Sequence, residues 1–193
     1  MAHIVIIAGS PTQSSRLNGL TQYAQAELEK RKHQVEQVTA AELPAEDLLR
    51  ANFSSPAIQQ ALEKIERADA VILASPVYKA AYSGALKTIL DLIPQKGFKG
   101  KVILPLFIGG TIAHLLALDY ALKPVVSSLG GTNILTGIYA VDQWISRLED
   151  GGFALTEDLQ VRLDNELEEL DRELQWRADS LSESDLLSSS KLN

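Results

Sequence analysis

No cysteine occurs anywhere in the 193 residues. That excludes thiolate catalysis, cysteine-ligated zinc and iron–sulfur clusters. Histidine is nearly as scarce, and His3, His33 and His114 are too dispersed to propose a metal site. No apolar run approaches the ~20 residues that span a bilayer. The opening MAHIVIIAGS lacks the basic segment of a secretory signal, so a soluble, cytoplasmic protein with no membrane partner is expected. Positive charge is also in deficit: 18 Lys and Arg against 25 Asp and Glu leave a net charge of −7. The average field of such a chain repels nucleic acid, but it leaves open small anions held by local donors. The length suits one domain, which buries roughly 70% of its unfolded surface without a disulfide or metal staple.

What is present alternates between two periods. IVIIA (4–8) is a continuous apolar run, as in a strand covered on both faces. From Ser15 to Lys32 the apolar residues Leu17, Leu20, Ala24 and Leu28 recur at helical spacing. Strand two is expected at Gln34–Ala40, a helix at PAIQQALEKIERA, and strand three at Asp69–Pro76. A short helix follows in SGALKTILDLIP, then strand four at Lys101–Gly110, which carries Pro105. A fourth helix is expected in AHLLALDYALKPVVSSL, strand five in NILTGIYAV, and from Thr156 a leucine stripe marks a long final helix. Five strand–helix alternations predict a flavodoxin-like α/β doubly wound parallel sheet of order 2-1-3-4-5. One domain is expected over residues 1–180, with a polar, flexible tail at 181–193.

In that topology, ligands bind where the carboxyl ends of strands one and three diverge. Three loops should meet there. GSPTQSSR (9–16) offers a permissive glycine, the hydroxyls of Ser10, Thr12, Ser14 and Ser15, the cation of Arg16 and the start of a helix, which together suit a phosphate. The plain alternative is that Ser14 or Ser15 caps the helix, which accounts for one serine but not the cluster. The loop is neither GxGxxG nor a Walker A motif. SPVYKAAYSGALK (75–87) places rigid Pro76 before Val77 and Tyr78, suited to a planar ring, although Tyr78 and Tyr82 could equally cover the sheet end. IGGTIAH (108–114) sets Gly109 and Gly110 where backbone amides could approach a flat heterocycle, or could simply turn.

The stretches AGSP…SSR, ASPVYKAAYSGALKTILDLIP and LPLFIGGTIAHLLALDYALKP resemble the NADPH-dependent FMN reductase family, and within it the reductase components of bacterial alkanesulfonate monooxygenase systems. The resemblance spans roughly residues 3–140 and fades after Val141. It implies FMN as substrate or loosely held cofactor, NADPH as donor, a homodimer or homotetramer, and a flavin-dependent monooxygenase that receives reduced flavin. On that template Ser10, Ser15 and Arg16 meet the FMN phosphate. Pro76, Val77 and Tyr78 line the ring, and Gly109, Gly110 and Thr111 bind its polar edge. Thr12 stands where many relatives carry arginine, a role left to Arg16. The absence of an acid–base pair accords with such chemistry, which chiefly requires two stacked rings.

Two other readings share the fold. A flavodoxin-type electron carrier is disfavoured because IGGTIAH has no aromatic to close the second ring face. An FMN-retaining quinone or azo reductase would differ in keeping its flavin on gel filtration. One further feature lies in LALDYALKP. Pro124 has no N–H for the carbonyl of Tyr120, and the next donor, Val125, is at π-helical spacing. The resemblance likewise implies a tyrosine-bearing π-helix at a subunit interface. The expectation is that Tyr120 sits on such a bulge and favours flavin exchange.

Overall fold

The computed structural model describes residues 1–189, with side chains placed through residue 180. Its strands are β1 (His3–Ala8), β2 (Gln34–Thr39), β3 (Ala70–Tyr78), β4 (Ala81–Tyr82), β5 (Val102–Gly109), β6 (Asn133–Ile134), β7 (Ile138–Val141), β8 (Ile145–Arg147) and β9 (Phe153–Leu155). Its α-helices are α1 (Leu17–Lys30), α2 (Ala45–Leu49), α3 (Pro56–Arg67), α4 (Gly84–Leu90), α5 (Lys123–Ser128) and α6 (Glu157–Ser189). The main sheet runs β2-β1-β3-β5-β6, and β7 also pairs with β5. Every pairing along this path is parallel. With β6 and β7 counted as one interrupted edge strand, this is the expected order 2-1-3-4-5.

The sheet is covered on both faces, which is why its strands are apolar at successive positions rather than alternate ones. Ile4 and Ile6 of β1 join Leu17, Leu20, Ala24 and Leu28 of α1 and the leucine stripe of α6 on one side. Val5 and Ile7 face Ile58 and Ile65 of α3, Leu86 and Ile89 of α4, and Leu122 and Val126 near α5 on the other. Strand direction then puts all the β–α loops of the sheet at one end.

Several elements depart from the expected pattern. Strand five is split because Pro105, in the middle of β5, has no N–H for the ladder. Opposite it the edge strand bulges at Gly137, whose φ is +78°. A Cβ at Gly137 would fall 2.5 Å from the Pro105 carbonyl oxygen. The Gly137 N–H turns away to donate to Glu166 Oε2 at 3.1 Å. Helix four is three pieces rather than one: a 3₁₀ turn at Ile112–His114, a π-helix at Leu118–Leu122, then α5. Helix α2 and the β8–β9 hairpin had no counterpart in the sequence reading. The expected tail at 181–193 overlaps α6, which runs to Ser189, and otherwise lies outside the described residues. Among the described residues no helix is long and apolar enough to cross a membrane.

Candidate functional site

The first two loops meet through a chain of serines. The Gly9 N–H donates to the Ala74 carbonyl at 2.8 Å, and the Gly9 carbonyl accepts from Ser83 Oγ. Ser83 also caps α4, accepting from the Leu86 N–H at 3.0 Å, while its own N–H donates to Ser75 Oγ at 2.9 Å. Glycine is required at position 9 because a Cβ there would lie 2.4 Å from Leu86 Cβ. The first loop is thus bolted to the end of β3 and the start of α4 by buried bonds, each costly to break.

The first loop itself is held from outside. Ser10 Oγ donates to the Thr12 carbonyl at 2.9 Å, Asn18 Nδ2 to the Gln13 carbonyl at 2.6 Å, and Arg147 Nη2 to the Ser14 carbonyl at 2.5 Å. In a trans peptide the C=O and the following N–H point in opposite directions. With these three carbonyls engaged, the N–H groups of Gln13, Ser14 and Ser15 each point away from the brace on the preceding carbonyl. Among the described residues, no acceptor lies within hydrogen-bonding geometry of these three N–H groups or of the Arg16 N–H. Unpaired amides just ahead of a 14-residue helix make a candidate anion nest, a place the helix dipole also favours.

The hydroxyls play a different part from the one their sequence suggests. Ser10 is buried, and its Oγ both donates to the Thr12 carbonyl and accepts the Thr12 N–H at 3.3 Å, so it shapes the loop. Ser15 Oγ accepts the Leu17 N–H at 3.2 Å, the capping role weighed as the plain alternative. Arg16 is anchored rather than mobile, with Nε donating to the Ile145 carbonyl at 3.0 Å. Among the described residues neither Arg16 nor Arg147 pairs with a carboxylate. Both guanidinium groups instead donate to backbone carbonyls.

At the second loop, Val77 and Tyr78 pair with Tyr82 and Ala81 across a two-residue turn. Lys79 and Ala80 both have positive φ, 51° and 62°, which identifies the primed turn that suits strand twist. The turn projects Tyr78, 55% exposed, beside half-buried Val77. Pro76 is buried in the sheet and supports these two from beneath.

The third loop separates its two glycines. A Cβ at Gly109 would lie 2.2 Å from Tyr139 Oη, whereas one at Gly110 would meet nothing closer than Asp142 Oδ2 at 3.9 Å. Glycine at 109 therefore answers an interior demand, not the approach of a ring, and only Gly110 faces open space. Tyr139 Oη donates to the Thr111 carbonyl at 2.9 Å, clamping the loop. Burial raises the Tyr139 phenol above its ordinary value, and the nearby Asp142 carboxylate adds to the rise, so the hydroxyl stays protonated and donates. The N–H groups of exposed Gly110 and Thr111 meet no acceptor among the described residues. Two unpaired donors thus stand side by side at the exposed end of β5.

Asn18, Ser83, Tyr139, Asp142 and Arg147 had not been singled out. Asn18 and Ser83 were within reach, because each stands beside a quoted loop at a helix start. Tyr139 and Arg147 act on loops 28 and 133 residues away in the chain, a distance that periodicity does not span.

The fold defines a flavodoxin-like α/β protein, with the candidate nest at its topological switch point. Residues 2–146 match the NADPH-dependent FMN reductase family. A protein called FMN reductase (NADPH) from Escherichia coli (strain K12) is 47% identical over 165 residues, 86% of each chain. A second protein of that name, from Pseudomonas putida (strain KT2440), is 43% identical over 166 residues, 86% of this chain and 84% of the other. The apo crystal structure of an NADH:FMN oxidoreductase (EMOB) aligns with a TM-score of 0.79 at 34% identity, covering 88% of each chain. The chain belongs to the NADPH-dependent FMN reductase family. It is an oxidoreductase that uses FMN and NADPH.

Proposed function

We propose that this protein turns over FMN as an exchangeable substrate and releases the reduced flavin to a flavin-dependent monooxygenase of the alkanesulfonate class. The net reaction is NADPH + H⁺ + FMN → NADP⁺ + FMNH₂. The isoalloxazine ring of bound FMN accepts two electrons from the nicotinamide of NADPH. The protein's part is positioning. The nest at residues 13–16, flanked by Arg16, holds the phosphate, and Ser10, Ser15 and Asn18 keep the nest in shape. Val77 and Tyr78, carried on buried Pro76, set one boundary of the ring. The amides of Gly110 and Thr111 donate to its polar edge, where charge accumulates on reduction.

The observation that carries exchange is the openness of the ring site. Gly110, Thr111, Ile112, Ala113 and His114 are all exposed, and the stretch holds no Phe, Tyr or Trp to roof the face opposite Tyr78. Nicotinamide has room to stack there, and flavin has room to leave. A flavodoxin-type carrier would need a second aromatic in that place.

Assembly follows from the same region. Tyr78, Ile112, Leu115, Leu116 and Tyr120 are large apolar residues left exposed on neighbouring loops, more than a soluble monomer ordinarily displays together. We infer a homodimer or homotetramer that buries Leu115, Leu116 and Tyr120, with residues 78–92 near the interface and the face opposite Tyr78 left open. Light scattering at micromolar concentration tests this, and a monomeric mass refutes it.

The decisive experiment for function is gel filtration of protein mixed with FMN, followed by steady-state kinetics with free FMN varied, with and without a sulfonate monooxygenase. Loss of flavin on the column, saturable turnover of free FMN and coupled sulfonate oxidation are expected. Flavin that co-elutes while free FMN is not turned over would favour the FMN-retaining quinone or azo reductase.

A further inference from the structure

The β8–β9 hairpin is stitched to the phosphate loop at two points, and one of the stitches comes from a residue just beyond the family match, which ends at residue 146. Arg16 Nε donates to the Ile145 carbonyl at 3.0 Å, and Arg147 Nη2 donates to the Ser14 carbonyl at 2.5 Å. The hairpin is seated on α1 at Gly19, where a Cβ would fall 2.8 Å from Ile145 Cγ2 and 3.1 Å from Phe153 Cβ. Ile145 is buried. Its antiparallel register with β9, Ile145 to Leu155 and Arg147 to Phe153, fixes which way Arg147 leaves the strand. The hairpin end is closed by Leu148 N–H to the Gly152 carbonyl at 2.9 Å and by Gly152 N–H to Asp150 Oδ1 at 2.9 Å. Asp150 is therefore engaged within its own turn, and neither it nor Glu149 forms an ion pair with Arg147 among the described residues.

We propose that Arg147 is a positioning residue for the flavin phosphate, acting through the peptide between Ser14 and Ser15. The inference rests on the reading that the loop at residues 13–16 takes the FMN phosphate. A guanidinium on the Ser14 carbonyl fixes that peptide plane with Ser15 N–H turned toward the anion. It also withdraws electron density from the shared amide, making the N–H a stronger donor, since hydrogen bonds in a chain polarise one another. Its net charge lowers the cost of holding a dianion in a chain whose overall charge is −7. Ser10 and Asn18 brace the two preceding carbonyls with neutral groups. Arg147 alone among the three supplies charge.

The test uses the full chain with NADPH saturating, and varies FMN or riboflavin as the flavin, alongside fluorescence titration of each. Arg147→Ala is expected to raise the FMN KM and dissociation constant about 5- to 20-fold, within the range for a partly exposed charge-assisted bond. The kcat should stay within about twofold, and riboflavin, which lacks the phosphate, should be unaffected. Arg147→Lys should restore most of the preference for FMN. Each contrary outcome is informative. If the wild type treats FMN and riboflavin alike, the phosphate-loop reading falls, and this inference with it. If the wild type prefers FMN and Arg147→Ala keeps the whole preference, only the role of Arg147 is overturned. If Arg147→Ala weakens both flavins equally, or Arg147→Lys restores nothing of the preference, the arginine merely fastens the hairpin and the inference is wrong.

Discussion

Tyr139 and Gly109 occupy one another's space. The phenol oxygen that donates to Thr111 lies 2.2 Å from where a β-carbon at position 109 would stand. The third loop can therefore leave β5 only over a residue without a side chain, and its exposed amides at Gly110 and Thr111 depend on that fit. Gly109→Ala should destabilise the fold by about 1–3 kcal/mol, as overpacking does, and raise the KM for FMN. In a Tyr139→Phe background, where the clashing oxygen is gone, the same substitution should cost distinctly less. Urea unfolding of the four proteins in the cycle measures the coupling. Strictly additive effects would show that the contact does not dictate glycine.

Arg16 supplies the second prediction. Its Nε bond to Ile145 leaves the terminal nitrogens for an anion. Arg16→Ala should weaken FMN by about 10- to 150-fold and riboflavin far less, by the worth of a charged hydrogen bond. Arg16→Lys, which has no Nε to hold the Ile145 carbonyl, should recover only part of the loss. Equal weakening of both flavins would sink the assignment.

Much of this site was legible, but by residue type more than by role. The apolar runs and their spacing give the doubly wound order, because burial on both faces leaves an unmistakable imprint on short strands. The hydroxyl-rich corner points to an anion site, yet the hydroxyls of Ser10 and Ser15 turn out to shape and cap the loop, which leaves the proposed holding to the amides. Backbone N–H groups are identical at every position, so no sequence shows which are free. Gly109 and Gly110 look equivalent in sequence and differ entirely in space, since one faces Tyr139 and the other faces solvent. The split of the edge strand follows from Pro105, but on a neighbouring strand, where only the register reveals it. Arg147 has no local signal at all.

The split edge strand leads to a pH prediction. The Glu166 carboxylate accepts the Gly137 N–H in that bulge. Burial pushes its pKa above the ordinary carboxylate value, outweighing the Gly137 bond that lowers it, with Glu169 raising it and Arg162 lowering it by lesser amounts. A folded-state pKa above the unfolded one means that the folded protein binds the proton more tightly. Its contribution to stability is then full below the unfolded value and is lost as pH rises through the folded one. Glu166→Gln keeps an acceptor for Gly137 but does not titrate. The stability of the wild type relative to this variant should therefore decline as pH rises from about 4 toward neutrality, then level off. Urea midpoints measured across that range check it, and a rising difference would reverse the sign of the claim.

The final prediction concerns the π-helix. The expected interruption is present: Leu118–Leu122 is π-helical, and the Lys123 N–H reaches back five residues to the Leu118 carbonyl. That bond lies two residues before the Val125–Tyr120 pairing expected from Pro124, which still denies a donor to the turn. A single widened turn rotates everything before it, so Leu118 and Leu122 remain buried while Leu115 and Leu116 face out and Tyr120 is 79% exposed. A ring so exposed contributes little to the monomer's own core, and its removal should change monomer stability by no more than about 0.5 kcal/mol. If Tyr120 instead serves flavin exchange from a subunit interface, Tyr120→Ala should retain more FMN on gel filtration and turn over free FMN more slowly. Pro124→Ala, which returns a donor to the turn, should move the protein in the same direction by favouring α-helical pairing. Unchanged flavin affinity and turnover in both variants would separate the π-helix from exchange and leave it a packing feature of the helix start.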